Sequence, residues 1–455
     1  MNQNQNYEEK LKTAPLVPLI FSMALPSIMA QLVNLLYSIV DRIYIGHMED
    51  VGTDALAGIG VTSAVILLIS AFSSIVSGGG APLAAIELGK GNREKAHKIL
   101  GNGFVLLLIF TVFTTLFSYI FMKPLLAFSG ASDATLGYAV EYLSVYLCGT
   151  LFVQLATGLN TFINSQGRPG ISMISVIIGA ALNIVLDPIF IFVFDMGVAG
   201  AALATIISQF ASCIWVVSFL FSKKASLRLE RKYMRLDIKI IGAIFALGVS
   251  PFVMSSTESL VGFVLNGGLS EYGGDIHVSA LTVMQSAMQM MSVPVTGFAQ
   301  GIVPILSYNY GSKNMKRVKK SFFISLAIMF SFTLTASLVM IFFPEFVSSL
   351  FTDDAALIET VSHTMPVFFA GMTIFGLQRA CQNTFLALGK AKFSLFIALL
   401  RKIILLVPLA LVLPKFFGVM GIYAAEAIAD ATAAVCCTLV FFISFRKMLF
   451  TKNYK

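Results

Sequence analysis

Charge is scarce in this sequence. Only 12% of its 455 residues are charged, against roughly 25% in an ordinary soluble domain. Too few charges remain to clothe a water-facing surface of this size, which excludes a soluble globular protein. Cysteine is sparse as well: residues 148, 213, 381, 436 and 437 all fall in apolar runs without a CxxC pair, which argues against a disulfide framework and a zinc site. The four histidines, His47, His97, His277 and His363, sit at or near the ends of such runs with no ligand-like spacing. No metal site and no cofactor are expected. Gly78-Gly79-Gly80 is not followed by GK[ST] at the required spacing, so a nucleotide-binding P-loop is absent. Neither a nucleophile–base pair nor a metal set is visible, so the chain is not expected to be an enzyme. The opening MNQNQNYEEKLK lacks the basic n-region of a secretory signal, so the first apolar run should stay in place.

What the chain has in excess is apolar length. Hydrophobic residues make up 57%, and they gather into about twelve runs long enough for a membrane helix of roughly 20 residues. Their approximate limits are 16–46, 54–85, 98–121, 136–163, 171–194, 198–221, 240–268, 277–306, 318–343, 358–386, 393–413 and 418–445. The fold class expected is therefore an all-α polytopic membrane protein. Lys and Arg crowd the connections after even-numbered spans, from GKGNREKAHK through Arg168 and SKKASLRLERKYMRLDIK to GSKNMKRVKK, Lys390, Lys392 and the tail RKMLFTKNYK. The odd connections carry acids: MEDVGTD, Asp133, Asp195, SEYGGD and FTDD. By the positive-inside rule the basic loops and both termini are cytoplasmic. Orientation accounts for the basic loops without any nucleic-acid partner.

The chain also repeats. PLLAFSGASDATL from Pro124 aligns with PEFVSSLFTDDAAL from Pro344, GKGNREKAHK from Gly89 with NYGSKNMKRV from Asn309, and GVAGAALAT from Gly197 with GVMGIYAAE from Gly418. These anchors divide the chain into an N-terminal lobe at 1–221, a cytoplasmic connection at 222–239 and a C-terminal lobe at 240–455. Six spans per lobe keep both in one orientation, a parallel repeat, with a substrate cavity expected between them near mid-membrane.

The acids were not duplicated with the scaffold. Asp41 aligns with Asn266, Asp187 with Pro408, and Thr205 with Glu426. A carboxylate inside a membrane span costs about 2.5–3.5 kcal/mol or more, which makes it a functional candidate. Asp187 has Asn183 one turn before it on the same helix face and Pro188 directly after it, which frees a backbone carbonyl. Such a group could hold a proton, a sodium ion or a cationic ligand. Asp187 and Thr205 lie at comparable depths, about 25 Å from the inner and roughly 10 Å from the outer start of their helices. Glu258 and Glu426 form the corresponding set in the second lobe, a candidate for a second cation or substrate site. Pro26 supplies a bend point in the helix that carries Asp41. The Gly78–Gly80 run reads equally as a loosened helix end or as close packing. Met284, Met288 and Met291 form one stripe of the eighth span, facing lipid, packed, or lining a cavity.

Twelve spans in two lobes, the Leu-Pro of the first span with VDRIYIG, and LNIVLDPIF followed by GVAGAALAT together resemble the multidrug and toxic compound extrusion (MATE) family, over about residues 15–445 and closest to its bacterial MepA-like and DinF-like branch. The resemblance implies two six-helix pseudo-symmetric lobes around a central cavity. It also implies a first-lobe cation site at Asp41, Asn183, Asp187 and Thr205, and a seventh-span acid at Glu258. Arg401 and Asp430 match the family's eleventh-span RK and twelfth-span IAD pattern and read as a structural ion pair. The function implied is export of small, mostly cationic or amphipathic organic compounds in antiport with H+ or Na+ by alternating access. It implies a monomer surrounded by lipid in a bacterial cytoplasmic membrane. The alternative is a lipid-linked oligosaccharide flippase of the same wider superfamily, which would be expected to place basic groups in its cavity.

Overall fold

The computed structural model describes residues 9–48 and 52–445. The basic tail beyond residue 445, and Glu49 and Asp50 of the first connection, lie outside the described residues. Among those described there is no strand; the chain is helix after helix. The first half runs Leu16–Gly46, Gly52–Gly89, Arg93–Ile120, the pair Asp133–Cys148 and Thr150–Ser165, Pro169–Val193 and Gly197–Phe221. The second runs Ile238–Gly273, Asp275–Gly311, Met315–Phe342, Ala355–Ala387, Ala391–Phe417 and Val419–Ser444. Eleven of these are single helices long and apolar enough to cross a bilayer, and the Asp133–Cys148 and Thr150–Ser165 pair makes a twelfth span bent by 61°. Outward faces carry large apolar side chains, such as Val112, Phe113 and Leu116 on the third span and Leu439 and Ile443 on the twelfth. A helix whose outer face is apolar suits hydrocarbon, where all its backbone groups are satisfied internally.

The sequence reads residues 136–163 as one helix, but the structure breaks it at Gly149. A Cβ there would strike the Ile206 side chain of the sixth span, so a glycine is what lets the two spans touch. Two helices also widen into π turns, Ile189–Val193 straight after Pro188 and Leu400–Leu406 just before Pro408. Proline removes a backbone donor and crowds the preceding turn, and a π turn is one way a helix absorbs that.

The apolar core shows how the halves meet. At the end bearing the basic loops, one cluster runs through both, from Leu16, Leu88 and Ile99 to Tyr308, Phe385 and Phe441. Toward the acidic-loop end the core divides. One cluster there is built from the first half alone, including Ile45, Leu126 and Val198, and one from the second, including Leu269, Val361 and Ile422. The shared end is packed backbone to backbone. A Cβ on Gly79 would meet the Ile244 carbonyl and the Gly248 backbone, and one on Gly248 would meet the Ile75 carbonyl. Gly78 and Gly79 thus pack against the seventh span, and Gly80 against Phe162 of the fourth. Met284 and Met291 are buried in the second-half core, with Met288 packed against it, and Met291 Sδ accepts from Ser337 Oγ at 3.7 Å.

The connection 222–239 is fastened to the first half. Leu227 N donates to Gln166 Oε1 at 2.9 Å and Gln166 Nε2 to Leu227 O at 3.3 Å. Asn102 Oδ1 accepts from Asp237 N at 2.8 Å while its Nδ2 donates to Arg235 O at 3.2 Å. Ala225, Leu227 and Leu229 are buried.

Candidate functional site

Four helices of the first half converge on Asp187. Asn183 and Asp187 project from one face of the fifth span, and Asn183 Nδ2 donates to Asp187 Oδ1 at 2.9 Å and reaches Thr205 Oγ1 of the sixth span at 3.5 Å. The Asp41 carboxyl of the first span adjoins that of Asp187. The structure therefore brings all four residues of the expected first-half set together. It adds two that sequence reasoning missed. Tyr37, one turn before Asp41, lies near both carboxylates, and Tyr142 of the bent fourth span lies beside Thr205 and stacks on Tyr146 at 6.1 Å and 15°. The i, i+4 spacing of Tyr37 and Asp41 was the available signal for the first; nothing local marked the second.

The chemistry of this cluster lies in its oxygens. Asp41 Oδ1, Asp187 Oδ2 and Asn183 Oδ1 are each buried without a hydrogen bond. Neither aspartate joins an ion pair among the described residues. Adjacent carboxylates repel, and although Arg42 lies close enough to act on Asp41, a proton or a cation bound at the pair relieves the repulsion directly. An all-oxygen donor set suits a hard cation.

Beside this cluster, two cavities of about 400 and 380 Å³ lie between the helices and share Ser77, Thr161, Asn164 and Gln300. The first reaches the acid pair through Tyr37 and is lined by uncharged polar groups, among them Asn34, Asn160 and Gln209. Gln31 Nε2 donates across the halves to Gln300 Oε1 at 3.2 Å. The second lies between the halves, with Ser77 and Pro82 facing Met254, Thr296 and Arg379. Sequence reasoning did not single out Arg379.

The second-half acids differ from the expectation. Arg401 Nε bonds to Asp430 Oδ1, and Arg401 Nη2 lies 3.6 Å from Glu426 Oε1. Lys402 Nζ lies 3.4 Å from Glu258 Oε2. Glu258 and Glu426 were read as a second cation or substrate site; each faces a basic side chain, Glu258 that of Lys402 and Glu426 that of Arg401. Arg401 and Lys402 are consecutive, yet both are buried, and both belong to the π turn Leu400–Leu406. An ionic cluster matched in sign lowers the cost of keeping charge in a membrane interior.

Pro26 lies inside an unbroken helix, Leu16–Gly46. The turn that contains it packs against the eighth span, where a Cβ on Gly297 would meet Ile28 and Ser27 and one on Gly301 would meet Ala24 and Met23. The residues flanking the proline thus form a seam between the halves, while Pro26 itself lines a cavity with Gly167, Arg168 and Ile171 of the first half.

The MatE family model matches residues 26–189 and 251–412. The Multidrug export protein MepA of Staphylococcus aureus (strain NCTC 8325 / PS 47) is 26% identical over 436 residues, 94% of each chain. A solved structure described as MATE in the bent conformation superposes with a TM-score of 0.89 at 22% identity, covering 97% of this chain and 98% of that one. Another, the outward-facing conformation of a multidrug resistance MATE family transporter of the MOP superfamily, gives 0.86 at 22% identity over 94% and 96%. The two structures share the fold, and the family model spans well over half of the sequence: this chain belongs to the MatE family of multi-span membrane proteins.

Proposed function

We propose that the protein is a secondary active exporter of amphipathic, largely cationic organic compounds, driven by antiport of H+ or Na+. The observation that carries this reading is the Asp41–Asp187 pair. Three buried oxygens of Asp41, Asp187 and Asn183 lack hydrogen bonds there, and a polar cavity begins one helical turn away at Tyr37. A bound cation satisfies the carboxylates, and a charged pair demands contacts that a neutralised pair does not. Only a difference in affinity between two conformations can couple such an event to a substrate.

The division of the core supports an alternating-access cycle. Closed packing at the basic-loop end with separate cores at the other describes an outward-open state, if the basic loops are cytoplasmic as the positive-inside rule requires. In the opposite state the Gly79–Gly248 and Ala24–Gly301 seams would part. We place the protein, as a monomer with both termini inside, in a bacterial cytoplasmic membrane, with lipid and small molecules as its partners and no nucleic acid. Energy comes from the ion gradient; no resident cofactor or catalysis is invoked. Arg379 lends some support to the flippase alternative, but a single guanidinium is a poor match for the several charges of a lipid pyrophosphate.

Ethidium efflux from proteoliposomes tests the reading, with pH and sodium gradients imposed separately at fixed membrane potential. Efflux should follow one of the two gradients. Efflux indifferent to both would refute it.

A further inference from the structure

We propose that Arg379 is an anion-recognition point of the cavity between the halves, holding the carboxylate of an amphipathic substrate. This rests on the exporter reading for its transport consequence, though not for binding. Arg379, Asn383 and Leu386 fall at i, i+4 and i+7 of the tenth span and all line the cavity. Among the described residues lining the two cavities, Arg379 alone is charged. Its Nη2 donates to Thr296 Oγ1 at 3.1 Å, and its buried Nε donates to nothing. It joins no ion pair among the described residues, whereas Arg401 and Lys402 each hold a carboxylate.

The difference is not one of local crowding. The Phe375 ring lies 5.5 Å from the Arg379 guanidinium carbon and 4.9 Å from that of Arg401, so the two cations share one aromatic neighbour. One is neutralised by Asp430 and Glu426, and the other is turned to the cavity. A guanidinium kept from water is costly unless an anion reaches it, and its planar fork matches a carboxylate with two parallel hydrogen bonds. Phe375 and Thr296 hold the fork in place before the ligand arrives. Across the cavity, Met254 and Ser255 of the seventh span are lining residues, and Glu258 follows Met254 by one turn on the same face with its side chain half exposed. That carboxylate already meets Lys402 Nζ at 3.4 Å, which leaves the Arg379 fork without a carboxylate of its own. Amphipaths that carry a carboxylate are thus the class the cavity fits.

The test uses the purified full chain and two probes that differ by one charge, a rhodamine as its free carboxylic acid and as its methyl ester. Binding is read by fluorescence anisotropy. The wild type should favour the acid, and Arg379→Gln should lower the acid-to-ester affinity ratio by about tenfold or more, the loss of a bidentate charge-assisted contact. Arg379→Lys, which keeps the charge without the fork, should fall between. A wild type that prefers the ester, or that binds neither dye, overturns the proposal, as does a ratio that survives R379Q. If R379Q binds neither dye, Arg379→Met is read by the same ratio. Displacement of the acid by a prenyl pyrophosphate far below the concentration needed by a fatty acid also overturns it, in favour of phosphate. Export is measured separately. A wild type that binds the acid but exports neither dye keeps this site and sinks the exporter reading. One that exports the ester without preferring the acid does the reverse.

Discussion

Replacing Asp187 by Asn should uncouple the transporter without weakening its fold. Asp187 Oδ1 accepts from Asn183 Nδ2, and an asparagine oxygen at that position can still do so. Its amide nitrogen would then take the place of Asp187 Oδ2, which is buried without a hydrogen bond beside Asp41. A new bond from that amide to the Asp41 carboxylate contributes roughly 1.5–3 kcal/mol, the range for hydrogen bonds to charged groups. D187N should therefore melt no lower than wild type, and several degrees higher if that bond forms. Transport should respond in the opposite sense. Each ion moved through 100 mV of ion-motive force releases about 2.3 kcal/mol. At about 1.4 kcal/mol per factor of ten, one coupled ion sustains a substrate gradient of roughly 50-fold. With one carboxylate left where two took up the cation, the steady-state ethidium gradient in proteoliposomes should collapse toward unity. Wild-type accumulation by D187N at equal protein density would refute the reasoning. So would a clear fall in melting temperature, since it would make the carboxylate a structural group.

Two further outcomes follow from the same contacts. Pro26→Ala restores a backbone donor and removes an interior proline that costs about 3 kcal/mol of helix propensity, so it should stabilise the first span and slow transport; a mutant as fast as wild type would show that Pro26 takes no part in the cycle. Arg401→Ala strips the counter-charge from Asp430 and Glu426 and should destabilise by roughly 3–5 kcal/mol, read as a large drop in melting temperature with loss of membrane-inserted protein, whereas near-wild-type stability would show that the cluster is not held by its ion pairs.

The span pattern was legible because a bilayer leaves few alternatives: long apolar runs must be helices, and Asp41 and Asp187 stand out as charges within them. Other features depended on partners far away in the chain. The break at Gly149 is decided by Ile206, and the Gly78–Gly80 run could not be read until Gly248 and Ile244 were placed against it. Lys402 was in view beside Arg401, yet an α-helical spacing buries only one of two neighbours comfortably, and the π turn Leu400–Leu406 that holds both has no simple sequence sign. Tyr37 and Tyr142 carry hydroxyls hidden in an aromatic-rich chain, where apolar pattern says nothing about which ring meets a polar group.

The strap formed by residues 222–239 bears on how the chain is made. Its bonds to Asn102 and Gln166 lie entirely within the first half. By the time Asp237 leaves the ribosome, everything needed to close that end of the first half has been synthesised. At roughly 5–20 residues per second the rest of the chain takes on the order of 10–40 s, long compared with helix docking. The first half thus has time to become a finished template, and its exposed glycine seam waits for the seventh and eighth spans to insert against it. The strap also takes up the slack of the connection, so the next helix is delivered from Ile238, already close to the seam it must join.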